Sequence, residues 1–268
     1  MGRSRVLTVA GSDPGGGAGV QADLKTFAAW RCYGMAVVTA LTAQNTVGVR
    51  AVHAVPAEFV ATCLDAVLED CAPAATKTGM LFDPGVIEVV AGRLRAGRAG
   101  PVVVDPVMVA TSGDRLLRDD ALDAMRTLLL PIAAVVTPNV PEAEILAGFA
   151  VHDEATAWLA AEAIGRAGAG AVLVKGGHMR DGPVVRDYLL AAGRRIVLEH
   201  PRLPIARPHG TGCTLSAAIA AGLARGLGVE DAVRRASDWL HAALAAASPI
   251  GAGGVPLDHC VPVEGVGP

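Results

Sequence analysis

Ala133-Ala134-Val135-Val136-Thr137-Pro138-Asn139-Val140-Pro141-Glu142 is the stretch that decides the fold. Its first four residues are small or β-branched and carry no charge, as in a strand buried on both faces. Thr137-Pro138-Asn139 ends that strand, and a helix follows from Pro141 to Leu146. A buried strand that passes through a polar turn straight into a helix is half of a β-α-β unit.

The pattern repeats on both sides. Upstream, strands are expected at Arg5 to Ala10, Ala36 to Leu41, Ala75 to Gly79 and Val102 to Val104. Helices are expected at Val20 to Trp30, Pro56 to Asp70, Pro84 to Arg95 and Asp119 to Leu130. Downstream come a helix over Glu154 to Ala167 and a strand over Ala171 to Val174. A hairpin of Val184 to Leu190 with Arg195 to Glu199 follows, then helices over Thr214 to Arg225 and Glu230 to Ala246. This alternation predicts an α/β fold with a central, mostly parallel sheet flanked by helices. No linker or internal repeat interrupts it, so residues 1–268 read as one domain. The segment after Ser248 is rich in Gly and Pro and is expected to be loosely ordered.

Composition excludes several function classes. Hydrophobic residues make up 52 % of the chain, enough for a large core and too many for a disordered one. With 51 alanines, 32 glycines and only 3 % aromatics, that core is built from small and branched aliphatic side chains. A net charge of −3 and a pI near 6.2 argue against nucleic-acid or membrane-surface binding. Val6 to Ala10 is too short for a signal-peptide core. The longest uncharged stretch, Trp239 to Leu257, is broken by Pro and Gly and is no membrane span. Cys32, Cys63, Cys71, Cys213 and Cys260 are odd in number and form no C-x-x-C, which points to a reduced, cytoplasmic chain. Only three of the 23 cationic residues are lysines: Lys25, Lys77 and Lys175.

Polar and glycine residues fall just beyond the strands, where α/β sheets bind ligands. Gly11-Ser12-Asp13-Pro14-Gly15-Gly16-Gly17-Ala18-Gly19 holds five glycines in nine residues, more than a plain strand-to-helix turn needs. It contains G-x-G-x-x-A, but no acid lies between Leu24 and Ala57 to hold a ribose, which disfavours a dinucleotide site. No Gly-Lys dipeptide exists, so a P-loop is absent. His209-Gly210-Thr211-Gly212-Cys213-Thr214 precedes an Ala-rich helix. It reads either as an anion hole of free N–H groups or as an ordinary helix start with a small buried cysteine. In the first case the helix end lowers the Cys213 thiol pKa. Asn139 and Glu142 suit a hydrated Mg²⁺ but, taken alone, read more simply as a capping box. Lys175 can reach a phosphate or stand at a solvated edge. Asp105 and Gln44 also end strands.

Seven motifs in order carry a resemblance: Ala10 to Thr26, Thr39 to Thr46, Lys77 to Leu81, Val104 to Met108, Thr137 to Ala143, Lys175 to His178, and His209 to Thr214. Together they resemble the ribokinase-like superfamily, most closely the hydroxymethylpyrimidine/phosphomethylpyrimidine kinases of thiamine biosynthesis. The resemblance implies a three-layer sandwich and a cytoplasmic Mg-ATP kinase, with a homodimer expected. The substrate implied is 4-amino-5-hydroxymethyl-2-methylpyrimidine and then its monophosphate.

By that resemblance Gly11, Asp23 and Gln44 hold the pyrimidine between Met80 and Val107. Thr42 departs from the family's apolar residue there. Asp105, Asn139 and Glu142 organise Mg²⁺ and phosphates. Lys175, Asn139 and Thr211 contact the nucleotide. The backbone of Gly210, Thr211, Gly212 and Cys213 is the anion hole, with Cys213 as base. The alternatives are a pyridoxal, pyridoxine or pyridoxamine kinase of the same fold, or a non-catalytic vitamer-binding protein.

Overall fold

The computed structural model describes residues 2–108, 121–179 and 182–266. The first half contains β1 (Arg5–Ser12), α1 (Gly19–Ala29), β2 (Tyr33–Gln44), β3 (Val49–Ala54), α2 (Ala57–Asp70), β4 (Ala75–Thr78), α3 (Pro84–Arg95) and β5 (Val102–Val104). Next come α4 (Ala121–Ala124), β6 (Ala133–Val136), α5 (Val140–Ala147), α6 (Glu154–Arg166) and β7 (Ala171–Val174). The chain continues with β8 (Val184–Ala191), β9 (Arg194–Pro201), β10 (Pro208–His209), α7 (Thr211–Ala224), α8 (Val229–Ala245) and β11 (Val255–Pro256).

Nine strands form one sheet in the order β3-β2-β1-β4-β5-β6-β7-β8-β9. The pairings from β2 through β7 are parallel, and antiparallel strands close both edges. Alternation along the central strands feeds two helical layers, as period-two side chains require. Val102, Val104, Val136 and Val172 pack into the core on one face of the sheet, together with residues of α2, α3, α5 and α6. Val103, Val135 and Leu173 point the other way, into the core shared with α1, α7 and α8.

The alanine excess has a place in this architecture. Ala217, Ala218, Ala220 and Ala221 of α7 are all fully buried between the sheet, α1 and α8. A Cβ on Gly222 would meet the Ala232 Cβ of α8 at 3.0 Å, so the two helix backbones run unusually near each other. Large side chains have no room there, and small ones bring α7 down onto the sheet with its N-terminus at the strand ends.

Three expectations change. β3 was not foreseen. Its hairpin turn is built by Asn45, whose Oδ1 accepts from the N–H of Val47 and Gly48 at 2.9 and 3.3 Å. Of the helix expected over Asp119 to Leu130, Asp119 and Asp120 lie outside the described residues. Its α-helical part, Ala121–Ala124, gives way to a π turn over Met125–Leu129. The segment after Ser248 is packed, not loose. Val255–Pro256 pairs with Pro208–His209, the Asp258 N–H donates to Ala243 O at 3.1 Å, and His259 is buried. Among the described residues no helix is long and apolar enough to cross a membrane.

Candidate active site

The carboxyl ends of β1, β2, β4, β5, β6 and β7 open, with the start of α7, onto one cavity of about 750 Å³. Gly11, Gln44, Met80, Val107, Asp105, Asn139, Glu142, Lys175, Gly210, Thr211, Gly212 and Cys213 all line it. Asp23 does not. It lies fully buried on α1, where its carboxylate takes bonds from Lys77 Nζ at 2.8 and 3.0 Å and from Thr8 Oγ1 at 2.6 Å. The expectation that Asp23 holds the substrate is therefore corrected, because both of its oxygens are spent beneath the cavity wall.

One end of the cavity is a narrow apolar slot. A Cβ on Gly11 would come 2.7 Å from Met80 Cε, so the thioether lies directly on the glycine backbone. Met80 and Val107 line this end, and behind them Ala40 and Val52 of the unforeseen β3 pack against Met80. Gln44 closes this end as the last residue of β2. Such a slot fits a flat ring with one polar edge.

The other end is polar. Lys175, just past β7, donates to Asp105 Oδ1 at 3.2 Å, and Ser216 Oγ of α7, which donates to Gly212 O at 2.9 Å, lies 3.3 Å from the second oxygen. Asn139 and Glu142 form a full capping box on α5: Asn139 Oδ1 accepts from the Glu142 N–H and Glu142 Oε2 from the Asn139 N–H. They are helix cap and cavity wall at once. Gly210 has φ +83, and a Cβ there would overlap the Gly17 carbonyl. Among the described residues no side chain caps α7, and Gly210, Thr211, Gly212 and Cys213 at its start line the cavity.

The family model for phosphomethylpyrimidine kinase matches residues 13–258. A hydroxymethylpyrimidine/phosphomethylpyrimidine kinase of Rhizobium meliloti is 52 % identical over 257 residues, covering 94 % of this chain and 96 % of that protein. The chain belongs to this family. It is accordingly a phosphotransferase with the ribokinase-like fold. A phosphomethylpyrimidine kinase structure from Clostridium difficile superposes with a TM-score of 0.81 at 38 % identity, over 90 % of this chain and 100 % of that one. The Staphylococcus aureus pyridoxal kinase in complex with AMP-PCP and pyridoxal gives 0.89 at 33 %, over 97 % and 94 %.

The electrostatics of the kinase site follow from burial. Burial pushes the Glu142 carboxyl up to about 7, with Asp105 adding to the rise and Lys175 opposing it. Burial would lower the Lys175 amine, but Asp105 and Glu142 outweigh it and keep the ammonium. Cys213 is the main correction. Burial pushes its thiol up to about 11, against the pull of Lys77 and an N–H from Gly19. The expected lowering by the helix end loses to desolvation, and at neutral pH the group is a thiol. Beneath it, burial raises the Asp23 carboxyl while Lys77 pulls against it, and Asp23 holds Lys77 as an ammonium despite its own burial.

Two residues were missed by sequence reading. Asp13 gathers the glycine-rich loop: its Oδ1 accepts from Gly15, and its Oδ2 from Gly17, Ala18 and His209 Nε2 at 3.1, 2.9 and 3.0 Å. Burial works to raise the Asp13 carboxyl, and His209 with the Gly15 and Ala18 amides more than offsets it. Asp13 thus ties the glycine-rich loop to His209 of β10, the strand before α7. A run of glycine N–H groups with a single acid at its head was the available signal. His259 had none. It bonds Thr214 Oγ1 at 3.0 Å from 45 residues away, and burial drops its imidazole to about 4.

Proposed function

We propose that this kinase transfers the γ-phosphoryl group of ATP to the alcohol of 4-amino-5-hydroxymethyl-2-methylpyrimidine, and then to the phosphate of the product. One observation carries the reading: the same cavity joins a slot ending in Gln44 to a polar end made of Lys175 and the start of α7, which no described side chain caps. The ring lies between Met80 and Val107 over Gly11, with Gln44 at its polar edge. Lys175, Asn139 and Thr211 hold the nucleotide. The backbone of Gly210, Thr211, Gly212 and Cys213 receives the moving phosphoryl group.

Mg²⁺ fits the donor set. Asp105 and Glu142 both line the polar end of the cavity and supply hard oxygen donors of the kind Mg²⁺ takes. When bound, the ion neutralises charge on the phosphate oxygens. Among the described residues no cluster of three or more acidic, His or Cys side chains is suited to a metal, in keeping with an ion held largely by phosphates and water. The alcohol oxygen attacks the γ-phosphorus, ADP leaves, and the alcohol proton departs late, onto a phosphoryl oxygen, since the transition state is loose. Cys213 stands beside that path as a thiol and contributes alignment rather than base strength.

The second step requires the monophosphate to bind with its phosphate where the alcohol was. The glycine-rich loop that Asp13 holds is the part that must adjust. A cytoplasmic homodimer completes the proposal, supported by five free cysteines and by exposed apolar residues such as Leu41, Val47 and Phe59. Pyridoxal phosphorylation is the second reading, favoured by the fit to pyridoxal kinase. Incubation with Mg-ATP and each of the pyrimidine, its monophosphate and pyridoxine, followed by mass analysis, tests both. Added phosphate on the first two is the expected result. Phosphorylation of pyridoxine alone overturns the first reading.

A further inference from the structure

Thr42 and Gln44 stand two residues apart on β2, on the same face, and both line the cavity. Thr42 Oγ1 lies 2.9 Å from the Ser12 carbonyl oxygen and 3.3 Å from Gln44 Oε1. A threonine hydroxyl has one proton, and the shorter contact with Ser12 takes it. What Thr42 then offers Gln44 is a lone pair. At 3.3 Å the second contact is well beyond the roughly 3.0 Å limit of an O–H···O bond and nearer the N–H···O range. The two ends of a carboxamide exchange by a half-turn. With its –NH₂ turned to Thr42, Gln44 satisfies that lone pair and presents its carbonyl oxygen to the slot.

We infer that Thr42 is a positioning residue that holds the Gln44 carboxamide oxygen toward the bound ring, selecting a heteroaromatic that carries an exocyclic amine. The inference rests on the proposed reading that Gln44 meets the polar edge of the ring. Without the Thr42 hydroxyl either amide end can face the slot, and a ring with a carbonyl in place of the amine is then accepted as well.

The test compares kcat/KM for 4-amino-5-hydroxymethyl-2-methylpyrimidine and its 4-oxo analogue at saturating Mg-ATP. Wild-type enzyme should prefer the amine. Thr42→Val should erode the preference about tenfold or more, the scale of one oriented hydrogen bond to a substrate. The change should fall on KM rather than kcat. Thr42→Ser, which keeps the hydroxyl, should restore the preference. Gln44→Glu in the Thr42→Val background should restore it too, because a carboxylate accepts at either end. An unaltered preference in Thr42→Val, or an equal loss on both substrates, overturns the inference while the kinase reading stands. If wild-type enzyme phosphorylates neither ring, the kinase reading itself falls, and the inference falls with it.

Discussion

Lys77→Met isolates the most deeply buried charge in the molecule. Lys77 and Asp23 are both fully inaccessible and 2.8 Å apart. Removing one partner of such a pair costs about 3–5 kcal/mol, because the remaining charge has neither water nor a counter-ion. Asp23 keeps its Thr8 bond and escapes the rest of the penalty by binding a proton. Its folded pKa then lies above the unfolded value, so the folded state binds more protons between the two. Stability of the variant therefore falls as pH rises through that window, by up to about 1.4 kcal/mol per pH unit. Urea unfolding followed by tryptophan fluorescence at pH 5.5 and 8.0 reads this directly. The variant should be markedly weaker than wild type at pH 8.0 and recover part of the deficit at pH 5.5. Adding Asp23→Asn removes the stranded charge and should return the pH slope to that of wild type. The pyrimidine KM of the double variant then reports whether Asp23 acts only below the slot. A Lys77→Met protein with wild-type stability at both pH values refutes the buried pair as described.

Three further outcomes follow from the same geometry. Cys213 should resist iodoacetamide at pH 7.5 and react faster as pH approaches the value near 11 to which burial raises its thiol, read as mass gain on that peptide. Lys175→Met should cripple ATP use by about a hundredfold in kcat/KM, because the proposed charge-assisted phosphate contact and its orientation are lost. His259, lowered to about 4 by burial, binds its proton in the unfolded chain first, so it contributes stability at neutral pH that is lost as pH falls from 6.5 to 4. Glu142 acts in the opposite sense, since its folded pKa is raised and its contribution falls as pH rises from 4.5 to 7. The difference between wild type and His259→Gln over that acid range, measured by unfolding, separates the two; a parallel pair of curves refutes the assignment to His259.

The sheet was legible because its central strands, Val102–Val104 or Ala133–Val136, are short runs of aliphatic residues that end in Asp-Pro or Thr-Pro. The same punctuation marked Asp105, Asn139, Lys175 and Gly210 as strand-end and helix-start residues, and the cavity does collect them. What a sequence does not state is depth. Asp23 follows the glycine-rich loop closely in the chain, yet α1 turns it inward to a lysine 54 residues away. Cys213 has the right neighbours for a reactive thiol, but its proton affinity is set by desolvation, a property of the packed interior. β3 escaped notice because Arg50 and His53 break its apolar run and its face toward the solvent is wide. The segment after Ser248 misled by composition: its glycines serve close contact, since a Cβ on Gly254 would meet His209 at 3.0 Å.

That last segment has a consequence for the timing of assembly. Val255–Pro256 steadies the strand before α7, His259 anchors Thr214 inside its first turns, and the Gly254 N–H donates to Thr46 O at the tip of the β2–β3 hairpin. The residues that make these contacts, 254 to 259, follow the other described strands and helices. During synthesis the parallel sheet can form from the amino-terminal side onward while these contacts are still missing. Until residues 254–259 have been added, the chain can carry a formed sheet while the start of α7 and the β2–β3 hairpin still lack these braces.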